Sequence, residues 1–582
     1  MFLVMISRAV ITGKPVFPKG RTLEVTGQHL HVYWDGDDYQ WHEDSEGWAL
    51  HQGICEQGSL LPGLERVGLR FCRPAETLTI RVSSVSGVPV YYHESPSGDL
   101  VIGSRVQFLR RAGVPIEADE SVLPEYLTYR CVLAPATLFR NIRRIPQGGV
   151  LTCSLNSGRT TARLSDLVDR ISLGIPETGG LDDHIKALTD CVGKTIQPLE
   201  AIPGHVAMLL SGGIDSSILC RLAGQNLGLR ETFSTGYPFE DDSQNVERRY
   251  ALTAAAAMGF EHKYFVSTTE RYLAGLVESI GLVEAPVSHL QSVCMHLLLQ
   301  EGIGPSRDVV LQGLGAGGCV GNFRNFLAIR DKPWANLLAT SPFYNLLSMV
   351  PSLTGRGMTF LGKLRDLRNH APLDNPANPI WKWHQYGDAK WVCEHFNVTP
   401  LDIAARHIDR VCGLRSGSLY DSWALYSLLG DEEATVAIWA SIAAGNGKTF
   451  YFPFYDEGFI QYAMGIPWSV KLGSTENVLR KGMATKLGVP GFVVNRRKSG
   501  FGIRRDDWAL EGGVFEPMAW LARDWVGAKE LPALRSRDPR KAMLFWNLLN
   551  YGIWKRICVQ GEAPLTLCGE IMARARMAGK GR

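Results

Sequence analysis

"LLSGGIDSS", residues 209–217, decides how this chain is read. An apolar run that ends at Leu210 stops on Ser211-Gly212-Gly213, and after Asp215, Ser216 and Ser217 an apolar pattern with helical spacing resumes. A strand that turns into a helix in this way brings the helix's free N–H groups and positive dipole end to the carboxyl edge of a sheet. Gly212 and Gly213 let backbone approach an anion closely, and the three serines add hydroxyl donors. Asp215 would repel a bare phosphate, so it is sensible there only with a Mg2+ between the two. The chemistry implied is a nucleotide polyphosphate with its metal. A tight turn with Asp215 as a helix cap is the competing reading; the full S-G-G-x-D-S pattern at a strand end weighs against it.

Outward from this stretch, strands and helices alternate. "HVAMLLS" precedes "SSILCRLAGQNLG", "ETFSTG" precedes "NVERRYALTAAAAMGF", "EHKYFVS" precedes "ERYLAGLVESIGLV", and "DVVLQGLG" closes the series. Continuous apolar strands separated by helices predict a parallel sheet covered on both faces. Residues 1–170 instead carry short β-like runs, "LHVYWDG", "TLTIRVSSV", "VPVYYHES" and "DLVIGS", punctuated by Gly, Pro, Asp and Ser; they predict an antiparallel, strand-rich domain. Composition turns to Gly, Pro and Thr around 172–183, which places the boundary between a first domain, 1–178, and a second, 179–582. The stretch 320–400 differs again, with seven Arg or Lys from Arg324 to Arg368 and many aromatics and prolines. It reads as an irregular helical insert or as a surface for an extended substrate.

With 582 residues, more than one core is expected. Sixty-one basic against 58 acidic side chains leave a formal charge of +3, too little to make nucleic acid the default partner. The 12 cysteines form no C-x-x-C pair, which argues against a zinc ribbon or a disulfide framework. No apolar stretch approaches the roughly 20 residues of a membrane-spanning helix, and the opening "MFLVMISRAV" is too short for a signal core. A cytoplasmic protein without membrane or nucleic-acid partners is expected. "AAGNGKT" (443–449) ends like a Walker A loop, but Ile442 stands where that loop needs its first glycine, so a polar loop ahead of "FYFPF" is expected there.

The S-G-G-x-D-S motif resembles the pyrophosphate loop of the ATP-pyrophosphatase superfamily, and further matches narrow it to the asparagine synthetase B branch. "TFSTGY" (232–237) and "EHKYF" resemble its adenine-side strands; "QGLGAG" (312–317) with "GCVGNF" resembles its S-G-E-G-A-D-E loop. "FPFYDEGFIQYAMGIPWSVK" (452–471) and "NVLRKGMATKLGVPGFVVNRRKSGFG" (477–502) resemble its P-F-L-D block and its L-R-K-A through R-P-K-x-G-F segment. "ATLFRNIRRIPQGGVL" (136–151) is similar to the end of the amidotransferase half. The resemblance implies α/β architecture with an N-terminal α+β part: a glutaminase-like (Ntn-type) β-rich sandwich, then an ATP-pyrophosphatase parallel-sheet synthetase domain with a helical C-terminal part.

Departures from the pattern carry equal information. Glutamine-using members place a catalytic cysteine directly after Met1; here Phe2 stands there and the first cysteine is Cys55. A phenyl ring cannot act as a thiol nucleophile, so the first domain is expected to lack glutaminase activity and the attacking nitrogen to be a substrate amine. β-Lactam-forming relatives carry a tyrosine at the place of Leu314, and the family's metal-binding aspartate is matched by Gly317. The remaining resemblance is to lasso peptide cyclases. It implies ATP and Mg2+ as cofactors, a leaderless precursor peptide as substrate, and a leader peptidase and a leader-binding protein as partners. An Asp or Glu side chain of the peptide would be adenylated and its N-terminal amine would close the macrolactam ring. By the same resemblance, ATP would lie against Leu209, Leu210 and Thr235, with Gln312 and Gly313 on the ribose and α-phosphate side. Its pyrophosphate would rest on Ser211, Gly212, Gly213, Asp215, Ser216 and Ser217, with Asp215 on the metal. Lys498 matches the catalytic lysine, which stabilises charge at the tetrahedral carbon. The alternatives are a small-molecule asparagine or β-lactam synthetase and a catalytically inactive scaffold.

Overall fold

Phe2–Ser7 (β1) is a strand buried at all six positions. Phe2, Val4 and Ile6 enter one core while Leu3 and Met5 pack with Phe108 on the other side, the alternation of a strand covered on both faces. In the computed structural model, the described residues are 1–7, 17–25, 28–56, 59–155, 160–172, 177–239, 246–320, 385–413, 419–472, 477–496 and 505–580. β1 pairs antiparallel with β3 (Gln28–Trp34) from Phe2↔Trp34 to Ser7↔His29.

Two six-stranded sheets face each other in this first domain. With β2 (Lys19–Val25), β4 (Tyr39–Glu43), β5 (Gly47–Glu56), β6 (Ser59–Cys72), β7 (Thr77–Val82), β8 (Val90–Glu94), β9 (Leu100–Gly103), β10 (Arg143–Ile145), β11 (Val150–Ser154) and β12 (Thr161–Ser165), their orders are β10-β8-β9-β1-β3-β2 and β12-β11-β7-β6-β5-β4. Leu30, Val32, Leu50, Leu69, Ile80 and Ile102 fill the space between them. The four β-like runs named from sequence are β3, β7, β8 and β9, so the strand-rich domain is present. A short helix, α1 (Val106–Arg111), follows β9 and carries Phe108 against the outer face of β1, and α2 (Leu123–Tyr129) and α3 (Leu181–Ile196) come later in the chain.

The second domain is built on a five-stranded sheet: β13 (Val206–Leu209), β14 (Glu231–Thr235), β15 (Glu261–Phe265), β16 (Val309–Leu311) and β17 (Thr449–Tyr451), in the order β15-β14-β13-β16-β17. Every pairing is parallel. α4 (Ile214–Asn226), α5 (Val246–Met258) and α6 (Thr269–Val283) make the crossovers. The chain builds outward from β13 through β14 to β15, then returns to place β16 on the other side of β13. The loops leaving β13 and β16 therefore diverge at the switch point where such sheets bind ligands. The fold class expected from sequence is the one observed, including the helical part after β17. β17 lies within "FYFPF", ahead of which the Walker-like "GKT" runs; Lys448 is spent on the carbonyls of Gly304 and Arg307, at 2.9 and 2.8 Å, and serves no phosphate.

The helix Asp431–Gly445 joins the domains through its first turn. Asp431 accepts from Arg130 at 2.8 Å, and Glu433 accepts both arms of Arg144 at 2.6 Å and the backbone N–H of Gln147 at 3.0 Å. Arg130 also lies over the Tyr386 ring, 3.4 Å from its centroid. Among the described residues no helix is long and apolar enough to cross a membrane.

Candidate functional site

The Ser211–Ser217 loop begins with a backbone requirement. Gly212 has φ +69°, and a Cβ there would stand 2.6 Å from the carbonyl carbon of Tyr250 and 2.7 Å from the nitrogen of Ala251, backbone of α5. Only glycine satisfies both constraints. Gly213 then caps α4, whose first turn holds Asp215.

The serines organise the loop from within. The Oγ atoms of Ser211 and Ser216 lie 3.0 Å apart, Ser211 N–H donates to Ser216 Oγ at 3.2 Å, and Gly213 N–H donates to Ser211 Oγ at 3.3 Å. Ser217 is fully buried, and its Oγ has no hydrogen-bond partner among the described residues. Thr235, at the carboxyl end of β14, is 6 % exposed and its Oγ1 is orphaned in the same way. Leu209 ends β13, and the N–H of Leu210 just beyond it donates to Phe233 O at 2.9 Å.

From the other side of the switch point, Gln312 N–H is held by Tyr451 O at 3.0 Å. The next residue, Gly313, lies so near α4 that a Cβ on it would be 3.0 Å from Ser216 N and 3.2 Å from Asp215 C. The structure thus brings together the residues read as the nucleotide set: Leu209 to Ser217, Thr235, Gln312 and Gly313 all border the carboxyl ends of β13, β14 and β16. A loop whose glycines leave no room for side chains, beside orphaned hydroxyls, fits a nucleotide polyphosphate.

Two arginines absent from the sequence reading complete this surface. Arg480, 2 % exposed, donates through Nη1 to both Asp215 carboxylate oxygens, at 3.1 and 3.0 Å. Arg496 donates to Gly212 O at 3.1 Å, pairs with Glu247 and lies 3.9 Å from the Tyr250 ring centroid. Both sit in quoted motif blocks, "NVLRKG" and "NRRKSGFG", which was the available signal. Lys498, two residues beyond Arg496, lies outside the described residues.

A Mg2+ on Asp215 would share that carboxylate with Arg480 and would take most of its ligands from phosphate oxygens and water. No group of three or more His, Cys, Asp and Glu among the described residues could hold a metal ion. No step below is routed through a metal. An acid does stand near Gly317, the position that the resemblance matches to a metal-binding aspartate: Glu432 Oε2 is 3.3 Å from where a Cβ on the next residue, Gly318, would be. Its neighbours Asp431 and Glu433 are the residues that grip the first domain. Phe2, where glutamine-using relatives have the thiol, is fully buried in the sandwich core.

A buried lysine lies close by. Lys471 is fully buried, its Nζ 4.1 Å from the Trp468 ring centroid and without a hydrogen-bond partner among the described residues. Burial pushes its amine down from 10.5 to about 8, with Cys319 and Asp421 pulling it partly back. Its folded value lies below the unfolded one, so its contribution to stability is present above pH 10.5 and is lost as pH falls through 8. Lys471→Met is expected to stabilise the protein at neutral pH by about 3 kcal/mol, and to remove the rise in urea midpoint that the parent should show between pH 8 and 10.5. Parallel midpoint curves for the two proteins would contradict it.

Comparison with known proteins agrees with this geometry. A family model described as asparagine synthase matches residues 203–547, and one described as a glutamine amidotransferase domain matches 75–163. The chain is 24 % identical over 501 residues to glutamine-hydrolyzing asparagine synthetase 1 of Bacillus subtilis (strain 168), covering 81 % of this chain and 74 % of that one. It is 24 % identical over 516 residues to a provisionally named glutamine-hydrolyzing asparagine synthetase of Mycobacterium tuberculosis (strain ATCC 25618 / H37Rv), covering 81 % and 73 %.

Proposed function

From its membership of the asparagine synthase family, to which this chain belongs, we propose an ATP-dependent, AMP-forming amide ligase whose attacking nitrogen is an amine of the substrate. The observation that carries the amine assignment is Phe2, buried where a glutaminase needs its thiol. Within that class we propose a lasso peptide macrocyclase. Leu314 at the place of the lactam-forming tyrosine and the basic, aromatic 320–400 stretch support this reading; residues 321–384 of that stretch lie outside the described residues.

In the proposed reaction the Ser211–Ser217 loop binds the pyrophosphate portion of ATP. An Asp or Glu side-chain carboxylate of the peptide attacks the α-phosphorus, the bond to pyrophosphate breaks, and an acyl-adenylate forms. The peptide's N-terminal amine attacks the activated carbonyl, AMP leaves, and the amine's proton passes to solvent. Lys498 is assigned to the charge that develops at the tetrahedral carbon and the leaving phosphate, and Arg496 would hold its segment against Gly212. Glu432 is proposed as the acid that compensates for Gly317. The first domain serves as a scaffold beside the peptide. A leader peptidase and a leader-binding protein would supply the substrate.

Mass spectrometry of the purified protein with Mg·ATP and a leaderless peptide, with AMP quantified in parallel, tests the proposal. The expected product is lighter by one water, appears with AMP and resists carboxypeptidase. AMP formed with free aspartate and ammonia, but with no peptide product, would replace it with the asparagine synthetase reading that the relatives' names favour. No AMP under any condition would leave a scaffold. Lys498→Ala should retain nucleotide binding and lose about 10²–10³-fold in ring closure; near-normal turnover would remove Lys498 from the mechanism.

A further inference from the structure

We propose that a cleft at the junction of the two domains, sharing no residue with the nucleotide loop, is a binding site for small anions bearing phosphate or carboxylate groups. Its volume is about 570 Å³, within the roughly 300–1,000 Å³ range of small-molecule pockets. Arg105, Gln107 and Arg110 form the first-domain wall. α6 faces them, and the Gly445–Asn446 turn of the Walker-like stretch and the segment Ile557–Pro564 close the sides.

The charges in this cleft are distributed unevenly between committed and free groups. Glu278 accepts from Arg271 at 3.0 and 2.9 Å and from His296 at 2.9 Å, and these partners hold its carboxyl down at about 2. Glu562 is held by Arg556 through bonds of 2.5 and 3.0 Å. Glu284, behind Arg105, accepts the N–H groups of Val106 and Gln107 at 2.8 and 3.1 Å. The acids are thus engaged by groups of their own.

The basic wall is engaged only in part. Arg105 uses Nη2 on Gly281 O at 2.8 Å, with Nε 3.5 Å from Glu284; Arg110 uses Nη2 on Cys558 O and Val559 O, at 2.6 and 2.9 Å. Nη1 of Arg105, Nε and Nη1 of Arg110 and the side-chain amide of Gln107 have no partner among the described residues. Across the cleft, Gln300 accepts from Arg271 through Oε1, and its amide N–H groups have no partner among the described residues. Guanidinium forks with spare donors, faced by that amide and by acids already neutralised, suit a phosphate or carboxylate.

Calorimetric titration of the full-length protein with inorganic phosphate and, separately, with citrate tests this, the nucleotide loop being saturated beforehand with a non-hydrolysable ATP analogue so that only heat from a second site is read. Binding of at least one is expected below about 20 mM, phosphate alone indicating phosphorylated ligands and citrate alone polycarboxylates. Arg110→Gln should weaken it by about tenfold or more. Because Arg110 also holds the 558–559 carbonyls, Ala563→Glu is the second variant: Ala563 lines the cleft and is exposed, so a carboxylate there repels the anion without disturbing packing. Binding that survives either variant, or no binding of either anion, would overturn the assignment.

Discussion

Gly212→Ala is expected to reduce nucleotide-dependent AMP formation by about 10²-fold or more while the protein stays folded. The left-handed conformation at φ +69° costs an L-residue roughly 1–2 kcal/mol, which a protein of this size tolerates. The steric conflict is harder to relieve, because the atoms 2.6 and 2.7 Å from the new Cβ belong to the backbone of α5 and not to a side chain that can rotate away. The loop must therefore move. In moving it displaces the Ser211–Ser216 pair and pulls the Gly212 carbonyl from Arg496, two residues before Lys498. Displacements of about 1 Å at a reacting centre are enough for the stated loss. AMP release and thermal unfolding measured on the same preparation separate the effects. Activity within threefold of the parent would mean that the loop does not carry the polyphosphate.

Glu433→Ala is expected to destabilise the protein by about 3–5 kcal/mol. The carboxylate is 4 % exposed and the Arg144 side chain 11 %, and the pair forms two parallel bonds of 2.6 Å. Glu433 raises the Arg144 guanidinium above its ordinary value against the opposing effect of burial. Truncation leaves that cation buried without its counter-charge and also strips the acceptor from Gln147 N–H. The double variant Arg144→Met, Glu433→Leu should recover much of the loss, since a buried pair replaced by apolar groups is often neutral. Urea denaturation of both supplies the check. If the double variant is as unstable as Glu433→Ala, the effect comes from packing rather than from the isolated charge.

Much of the parallel sheet was legible because β13 and β16 are short apolar runs that stop on polar residues and glycine, and the loop after β13 has a composition few other structures need; β14, Glu-Thr-Phe-Ser-Thr, was marked instead by the helical patterns on either side of it. β17 was harder to see: three residues inside "TFYFPF", with a proline two positions on, have no helix of their own to mark them as a strand. The arginines were hidden for a different reason. Arg480 and Arg496 stand among other basic residues, and a basic run reads as a solvated surface; that each meets a loop more than 260 residues earlier is tertiary information. The acid run Asp431-Glu432-Glu433 likewise reads as ordinary helix-start chemistry, although each residue faces a different element. The metal expectation followed Asp215's charge; that the same carboxylate also faces Arg480 is a contact between segments 265 residues apart that the sequence does not display.

That acidic turn has an evolutionary consequence. Its outer two residues hold arginines of the first domain, and the middle one lies against Gly318, so the first domain is mechanically wired to the loop that follows β16. If the first domain has no reaction of its own, as proposed above from Phe2, discarding its mass would still remove the struts that hold the loop beside Gly318. Selection would then relax on the former pocket while it persists on Arg130 and Arg144. A shortened enzyme lacking the first 178 residues would have to rebuild that support before it could work.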